Sequence, residues 1–244
     1  MPKMRHRFEF DFMINNIKMI FFDMDGVIFD ITGYNESGKK VAISTWNAVF
    51  DQAGIYREHE RLKEMFIKGE FPSYMEWTDE ACRVLQKHGL TREKFIKIIN
   101  SRPLMNGAEE TFIELKKRGY KTAVITGSFK ALAERAQGLL GIDYIIAHCD
   151  LVFNENGSLK QWFLIPCDFD EKMRYLNKLA KELNLNPSQC AFIGDEVNDI
   201  PIFKKVGLSI AFNCFKEEVK KAVNIVIDKK DLKEILKYFP PIKS

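Results

Sequence analysis

The sequence predicts an α/β fold in which a mostly parallel sheet is interrupted, after its first strand, by an inserted helical segment. From residue 104 to the C-terminus, short apolar strands alternate with amphipathic helices, the pattern of strands joined by right-handed crossovers. Between residues 38 and 100 the apolar residues recur instead at helical spacing. A chain of 244 residues is long enough for one such core and a smaller insert.

The first strand is predicted in the apolar run that ends at Phe22, and the insert follows it. Ser73 and Thr91 are candidate N-caps for two helices of the insert, since each precedes a segment with helical periodicity. The four helices of the insert are predicted at 41–49, 58–68, 73–89 and 91–99.

After Pro103 the predicted strands and helices alternate. Strands are predicted at 121–126, 143–147, 190–193, 208–212 and 225–227, and helices at 109–118, 129–140 and 170–183. A hairpin is predicted from 151 to 165, because the turn residues at 154–157 separate two segments of strand character. Asp231 is expected to open a final helix.

The composition argues against several classes of partner. Lys and Arg number 37 and Asp and Glu 34, so a net charge of +3 predicts no basic surface for nucleic acid or a membrane. No apolar run reaches the roughly 18 residues of a membrane span. The first 16 residues lack the pattern of a secretory signal. The five cysteines form no CxxC pair and fit a reducing compartment, so we expect a cytoplasmic protein.

Two acidic clusters follow two of the predicted strands. Asp23 and Asp25 come directly after the first strand, and Asp195 and Asp199 follow the strand at 190–193. The carboxyl ends of parallel strands meet at one edge of the sheet, where open α/β folds bind their ligands. Carboxylates gathered there repel one another unless a hard cation lies between them, and Mg²⁺ prefers such oxygen ligands. The sequence therefore predicts a Mg²⁺ site at this edge.

Each cluster also has a plainer interpretation. Asp-x-Asp-Gly can simply close a turn, whereas carboxylates two residues apart on a strand point the same way and can act as nucleophile and acid. An EF-hand is a poor alternative, since a strand precedes Asp23 and its twelfth position is Tyr34 rather than Glu. Asp195 and Asp199 can be an N-cap with an acidic first turn.

Between the clusters lie two candidates for binding an anion. Thr126 and Gly127 end a strand and begin a helix, where a hydroxyl and backbone N–H groups can hold phosphate, although Thr and Ser are also common caps. Lys172 lies in the first turn of its helix, where the helix dipole disfavours a cation. It is either exposed to solvent or reaches the acidic site, where it holds a phosphate or the nucleophilic carboxylate.

Together, and in this order, these segments resemble the haloacid dehalogenase-like hydrolase superfamily. Residues 23–27 match its nucleophile loop, Thr126 its second motif, Lys172 its third, and residues 194–199 its acidic fourth motif. From residue 107 to 239 the sequence is most similar to the phosphoserine-phosphatase branch of that superfamily.

The resemblance implies a domain organisation. A Rossmann-like catalytic core is expected at 17–32 and 104–244, and an all-helical cap of the C1 type at 33–103. Residues 1–16 are expected to form an N-terminal extension, either a flexible tail or an extra edge element.

The resemblance also implies a mechanism, Mg²⁺-dependent phosphoryl transfer to an aspartate. Asp23 is expected to attack phosphorus and Asp25 to serve as acid and base. Mg²⁺ is expected to bind Asp23, the backbone carbonyl of Asp25, and Asp195. Thr126, Gly127 and Lys172 are expected to bind the phosphate. Asn198 is expected to bond either a phosphate oxygen or Asp23. Asp199 is expected to orient the metal waters or Lys172.

The expected substrate is a small phosphorylated metabolite, and phosphoserine is disfavoured. The phosphoserine enzymes hold the amino-acid end of the substrate with a Glu and an Arg of the cap. The corresponding positions here fall near Thr32 and Glu80, which lack the needed charges, although Arg83 lies within one helical turn of Glu80.

Candidate residues for a pocket in the cap are Trp46, Tyr74, Trp77, Arg57, Arg61 and Arg83, although the aromatic ones also fit the interior of a helical bundle. Two alternatives stay open: a binding or regulatory protein without turnover, and a phosphomutase or phosphonate hydrolase of the same superfamily. The sequence does not specify an oligomeric state.

Overall fold

The computed structural model describes residues 11–34 and 40–242 and has the predicted α/β architecture. Its strands are β1 (Met19–Phe22), β2 (Thr32–Tyr34), β3 (Lys40–Ala42), β4 (Lys121–Phe129), β5 (Tyr144–Phe153), β6 (Leu159–Leu164), β7 (Cys190–Gly194), β8 (Leu208–Phe212) and β9 (Ile225–Ile227). Seven of them form one sheet in the order β6-β5-β4-β1-β7-β8-β9. All of its pairings are parallel except that of β5 with β6.

The helices lie before, between and after these strands. They are α1 (11–16), α2 (Thr45–Gln52), α3 (Tyr56–Ile67), α4 (Tyr74–Lys87), α5 (Arg92–Ser101), α6 (Ala108–Lys117), α7 (Lys130–Leu140), α8 (Asp170–Glu182), α9 (Ile200–Phe203) and α10 (Glu217–Lys220). Of the extension expected at 1–16, only 11–16 belongs to the described residues. None of the helices in the described ranges is long and apolar enough to cross a membrane.

The central strand β1 positions the site. Its side chains are all fully buried and alternate between two apolar clusters, one on each face of the sheet. The strand order turns outward in both directions from β1, with β4 on one side and β7 on the other. Asp23 follows β1, Thr126 lies near the end of β4, and Asp195 follows β7, so the fold brings these residues to one edge of the sheet, at the switch point where α/β folds bind ligands.

The insert contains the four predicted helices, α2 to α5. The predicted N-caps are confirmed: the Ser73 hydroxyl accepts the N–H groups of Met75 and Glu76, and the Thr91 hydroxyl accepts that of Lys94. The insert is not all-helical, however, because β2 and β3 form a short antiparallel ribbon. Strands of three residues are too short to show an alternating pattern in sequence.

Several element boundaries differ from the sequence prediction. The strand predicted at 143–147 and the first strand of the hairpin predicted from 151 form one continuous strand, β5. Helix α2 begins at Thr45 rather than near residue 41, because residues 40–42 form β3 and the Ser44 side chain caps the helix. Strand β4 continues to Phe129, with a register shift against β5 between Thr126 and Phe129. The final helical segment, Leu232–Tyr238, is a 3₁₀ helix.

The insert and the core share one apolar cluster in the described structure. Trp46 and Phe95 of the insert both pack on the ring of Phe129 at the end of β4, with centroids 4.1 and 5.2 Å away. Trp77 of α4 lies against Trp46, with centroids 5.5 Å apart. The cap is therefore packed onto the carboxyl edge of the sheet.

Candidate active site

A buried lysine lies between two aspartates at the centre of the site. The Lys172 ammonium donates to Asp23 Oδ1 at 2.8 Å and to Asp199 Oδ1 at 2.6 Å, and its side chain is fully buried. Burial alone lowers the pKa of Lys172, but the carboxylates of Asp199 and Asp23 outweigh burial and raise that pKa well above its usual range. Lys172 was expected either to be exposed to solvent or to reach the acidic site, and in the structure it reaches the acidic site.

Asp199 is held by the chain itself. After β7 a 3₁₀ turn at Val197–Asp199 brings its carboxylate back over the strand end, where Oδ2 accepts the backbone N–H groups of Asp195 (3.1 Å) and Glu196 (3.2 Å). The approach requires glycine at 194, since a Cβ there would lie 2.2 Å from Asp199 Oδ2. Both Asp199 oxygens therefore have donors from the protein, which suits a residue that orients Lys172.

Asp195, unlike Asp199, has a carboxylate oxygen without a hydrogen-bond donor. Its Oδ1 is buried and has no hydrogen-bond partner, and its Oδ2 lies against Gly26, where a Cβ would approach it to 2.2 Å. Burial first, and then the Asp23 carboxylate, raise the pKa of Asp195 well above its usual range. Ligand oxygens of Asp23, Asp195 and Asp199 lie within 4.8 Å of one another. An unpartnered carboxylate oxygen in such a cluster fits a divalent cation.

Asp25 is tied to the insert. The Thr45 backbone N–H donates to Asp25 Oδ2 at 3.0 Å, and the Thr45 hydroxyl donates to Oδ1 at 2.6 Å. Burial raises the pKa of the Asp25 carboxyl, while the two bonds from Thr45 oppose that rise. Thr45 was not predicted as a site residue, because its position in the sequence places it on the apolar face of a helix. The Ser44-Thr45 pair at the start of that helix is the signal that could have indicated it.

The segment from Thr126 to Ser128 lies in the last part of β4, the strand that pairs with β1. The Thr126 hydroxyl accepts the N–H of Ser128 at 3.1 Å, and the Ser128 hydroxyl is buried without a partner. The Gly127 carbonyl accepts two donors from the insert, Trp46 Nε1 at 3.2 Å and the Tyr74 hydroxyl at 3.0 Å. The loop expected to bind phosphate is thus held by two cap side chains.

Asn198 has a partner that the sequence did not predict. Its Nδ2 donates to Asp168 Oδ1 at 2.6 Å, rather than to Asp23, and its Oδ1 is buried without a partner. Asp168 is 8% exposed, and a Cβ on Gly127 would lie 2.7 Å from its Oδ2. Sequence reasoning missed Asp168, because a single Asp before a helix is an ordinary cap candidate.

One cleft of about 350 Å³ between the sheet edge and the insert is lined by Asp23, Asp25, Asp168, Asp195, Asn198 and the segment 126–128. Lys172, Asp199 and Thr45 are not among its lining residues in the described chain. Four of the five buried side-chain atoms that lack a partner in the described structure belong to residues that line it: Trp77, Ser128, Asp195 and Asn198. Buried polar groups are nearly always paired, so four such atoms around one cavity indicate a ligand site. The volume fits a small molecule.

The cap residues predicted for the pocket divide into two groups. Trp46, Tyr74 and Trp77 line the cleft, whereas the three arginines are not among its lining residues in the described chain. Arg61 pairs with Glu58, and Arg83 with Asp79.

Thr32 and Glu80 do not line the cleft either, judged over the residues that the structure describes. The Thr32 hydroxyl instead accepts the Lys230 ammonium at 2.6 Å. Because neither residue lines the cleft, the sequence argument against phosphoserine, which depended on these two positions, is not supported.

Comparison with known proteins shows the family of this chain. The family model of the haloacid dehalogenase-like hydrolases matches residues 17–207. Phosphoserine phosphatase from Methanocaldococcus jannaschii is 33% identical over 228 residues, covering 91% of this chain and 97% of that protein. Phosphoserine phosphatase from Albidiferax ferrireducens is 30% identical over 235 residues, covering 93% and 92%.

Solved structures give the same result. A substrate-bound phosphoserine phosphatase complex superposes with a TM-score of 0.73 at 31% identity and covers 91% of this chain and 98% of its own. A phosphoserine phosphatase in apo form superposes with a TM-score of 0.74 at 30% identity. The chain therefore belongs to the haloacid dehalogenase-like hydrolase family, where it lies in the phosphoserine-phosphatase-like branch and has the enzyme class of that branch, the phosphoric monoester hydrolases.

Proposed function

We propose that this hydrolase removes phosphate from a small phosphate monoester through an aspartyl-phosphate on Asp23, with Mg²⁺ as cofactor. One observation carries the proposal: Asp23, bonded to the buried Lys172, faces the same cleft as the unpartnered carboxylate of Asp195 and the hydroxyl of Thr126. A cation site and an anion site therefore lie on either side of one nucleophile.

In the first step a carboxylate oxygen of Asp23 forms a bond to phosphorus while the bond from phosphorus to the leaving oxygen breaks. That oxygen takes the electron pair and the proton of Asp25, whose burial raises its pKa and so favours the protonated form that an acid needs. Thr126 and the backbone of the loop that follows it hold the phosphoryl oxygens, and Lys172 keeps Asp23 in position.

In the second step the ionised Asp25 removes a proton from water, and the water oxygen attacks phosphorus. The bond to Asp23 breaks, which restores the carboxylate and releases inorganic phosphate. Asp23 and Asp195, together with the backbone carbonyl of Asp25, are the groups that would hold Mg²⁺, which when bound neutralises charge between the nucleophile and the phosphate.

Phosphoserine is the first substrate to test, although the sequence analysis disfavoured it. The relatives that match most of the chain are phosphoserine phosphatases. The cleft also offers a cation for a carboxylate, since Lys63 of α3 lines it. The proposal therefore includes phosphoserine among the small monoesters that the cleft can take.

The test is phosphate release in the presence of Mg²⁺ by the wild type and by Asp23→Asn, with p-nitrophenyl phosphate and a panel of metabolites that includes phosphoserine. Asp23→Asn should lower kcat by at least about 10³-fold, since a nucleophile is lost. Asp51→Asn, a change at an exposed position in the insert, is the matched control and should leave kcat unaltered.

Two results would contradict the proposal. Substantial activity in Asp23→Asn would show that another residue is the nucleophile. Equal and negligible release by the wild type and by the Asp23→Asn, Asp195→Asn double variant would favour a binding or regulatory protein that has kept the fold.

A further inference from the structure

Two cysteine side chains meet where the insert packs on the core. Cys82 of α4 and Cys149 of β5 are 67 residues apart in the chain, yet their Sγ atoms lie 3.7 Å from each other. Both side chains are fully buried. The sulfur atoms of the other three cysteines each have a backbone carbonyl oxygen as partner. Within the described chain, Cys82 and Cys149 are therefore the pair of thiols that the fold brings together.

Polar bonds join α4 to the core one helical turn before Cys82. The Thr78 hydroxyl oxygen lies 2.9 Å from Nε2 of His148 on β5. The indole N–H of Trp162 on β6 donates to Asp79 Oδ1 at 2.8 Å. These contacts hold the first half of α4 against the hairpin of β5 and β6.

A second set of bonds joins α4 to the core one turn after Cys82. The side-chain amide of Gln86 donates to the backbone carbonyls of Leu159 at 3.1 Å and Lys160 at 2.9 Å. Positions 78, 82 and 86 are four residues apart, so they share one face of the helix. The thiol pair thus lies in the middle of a helix face that is held at both ends, which keeps the two sulfur atoms opposite each other.

The contact can change into a covalent bond with little movement. A disulfide has a sulfur–sulfur distance of about 2 Å, and the two sulfur atoms start 3.7 Å apart. Burial first, and then the contact with Cys82, raise the pKa of Cys149 well above its usual range. The thiols are therefore unreactive while α4 covers them. They can react before the insert packs on the core during folding, or when α4 separates from β5.

We propose that Cys82 and Cys149 are a disulfide-forming pair, a reversible modification site that cross-links the insert to the core under oxidising conditions. In a reducing compartment the two thiols stay free, as they are in this structure. The co-reactant is a low-molecular-weight disulfide such as oxidised glutathione. The inference does not depend on the proposed phosphatase function, because it concerns the junction between α4 and β5 rather than the cleft.

The chemistry is thiol–disulfide exchange in two steps. The thiolate of one cysteine attacks a sulfur of the small disulfide, which forms a mixed disulfide and releases one small thiolate. The thiolate of the second cysteine then attacks the protein sulfur of that mixed disulfide and releases the other. Both protons of the cysteines end on the two released thiols, and two electrons pass from the protein to the reagent. An excess of a small thiol reverses both steps.

The cross-link should leave the cleft as it is. Neither Cys82 nor Cys149 is among the residues that line the cleft in the described chain. The bond joins two elements that already lie against each other, so Tyr74 and Trp77, which α4 contributes to the cleft, keep their places. We therefore expect oxidation to alter stability strongly and turnover little.

The test uses the full chain and two routes to the disulfide. Native protein is incubated with oxidised glutathione, and reduced, denatured protein is refolded in a buffer of reduced and oxidised glutathione, where the reagent reaches the thiols before α4 covers them. Peptide mass mapping after alkylation in denaturant should find Cys82 bonded to Cys149 by the refolding route at least, with the other three of the five cysteines free. A disulfide between other cysteines, or five free thiols by both routes, would overturn the proposal.

Thermal unfolding measures the consequence. The cross-linked wild type should unfold about 5 °C or more above the reduced form, because the bond restricts the unfolded chain over a loop of 67 residues. Cys82→Ala and Cys149→Ala should each lose this oxidation-induced shift. Cys190→Ala is the matched control, since Cys190 is equally buried and its Sγ has the Asn186 carbonyl as partner, and it should keep the shift. The same shift in all three variants would exclude the pair as its cause.

Hydrolysis of p-nitrophenyl phosphate is a separate readout. The oxidised wild type should keep kcat within about twofold of the reduced form. A loss of turnover that a reducing thiol restores would mean that α4 has to leave β5 in each catalytic cycle, which would overturn the expectation that the cross-link spares the cleft. Absence of hydrolysis in both forms would contradict the phosphatase function, while mass mapping and thermal unfolding would still decide whether the disulfide forms.

Discussion

The two ends of the cleft are formed by different parts of the chain. At the end of the cleft near Asp23, which we call the phosphate end, the acidic and hydroxyl groups follow the ends of three adjacent strands of the core, and Lys172 of α8 donates to Asp23 and Asp199. At the leaving-group end, the walls are aromatic side chains from the insert and one core ring. The proposed catalytic groups are thus positioned mainly by the sheet, whereas the other end of the cleft depends on how the insert packs against it.

The two ends are joined at few points. Thr45 of the insert holds Asp25, and Trp46 and Tyr74 hold the Gly127 carbonyl. A change at the phosphate end should therefore remove activity on every substrate. A change at the leaving-group end or at these contacts should lower activity only partly. The predictions below test that difference.

The largest effect is expected for Asp195→Asn. Removing a charge from the metal cluster should lower kcat by about 10³-fold, because the charge on the phosphate is no longer neutralised. Mg²⁺ should also raise the unfolding temperature of the wild type but not that of the variant, since it binds only the folded state. An equal Mg²⁺-induced shift in both proteins would place the metal elsewhere.

Lys172→Met should lower the free energy of unfolding by about 3–5 kcal/mol, because it leaves buried carboxylates at Asp23 and Asp199 without their cation. Urea denaturation measures the change. Lys178→Met, at an exposed position on the same helix, is the control and should alter stability by less than about 0.5 kcal/mol. A loss no greater than that of the control would mean that the aspartates are not ionised in the folded protein.

Acid should weaken the junction between insert and core through His148. This histidine of β5 donates from Nδ1 to the Ile165 carbonyl at 2.7 Å, and its Nε2 lies 2.9 Å from the Thr78 hydroxyl oxygen of α4, so its ring joins the insert to the core. Burial lowers the pKa of His148 from 6.5 to about 4. The unfolded chain therefore binds more protons between these values, and stability falls as the pH decreases from 6.5 to 4.

The loss from His148 should reach about 2 kcal/mol at pH 5 and about 3 kcal/mol at pH 4. Urea denaturation from pH 7 to pH 5 measures it. His148→Gln should flatten the dependence, whereas His88→Gln, at an exposed position, should not. Identical slopes in the wild type and both variants would exclude His148 as the cause.

The smallest effect is expected for the contacts on Gly127. The double variant Trp46→Phe, Tyr74→Phe keeps an aromatic ring at each position but removes both donors, each worth about 0.5–1.5 kcal/mol, so kcat/KM should fall by about tenfold. Trp162→Phe is the control, since that indole donates to Asp79, away from the cleft. If the double variant matches the control, the cap does not position the phosphate loop.

The sequence predicted the phosphate end better than the leaving-group end, and the reason is physical. Asp23 and Asp195 follow apolar strands, and parallel strands have their carboxyl ends at one edge, so local pattern alone brings them together. Lys172 could also be placed at the site from the sequence, because it matches the third motif of the family. Their roles in catalysis and metal binding stay predictions until the variants are measured.

The leaving-group end depends on contacts between residues far apart in the chain, which periodicity does not encode. The bond from Thr45 to Asp25 and the bond from Asn198 to Asp168 both arise from tertiary packing. The β2–β3 ribbon was missed because its strands have three residues each. Thr32 and Glu80 were reached by matching the insert to the family through its flanking motifs, and they do not line the cleft in the described chain.

Three glycines have a consequence for how this sequence can change. A Cβ at Gly26 or Gly194 would lie 2.2 Å from a carboxylate oxygen of Asp195 or Asp199, and a Cβ at Gly127 would lie 2.7 Å from Asp168. One added methyl group would push an acidic side chain out of its place without altering any residue that is proposed to react. Positions that bear no functional group therefore also control the geometry of the site, and a variant that lowers activity can look conservative in sequence.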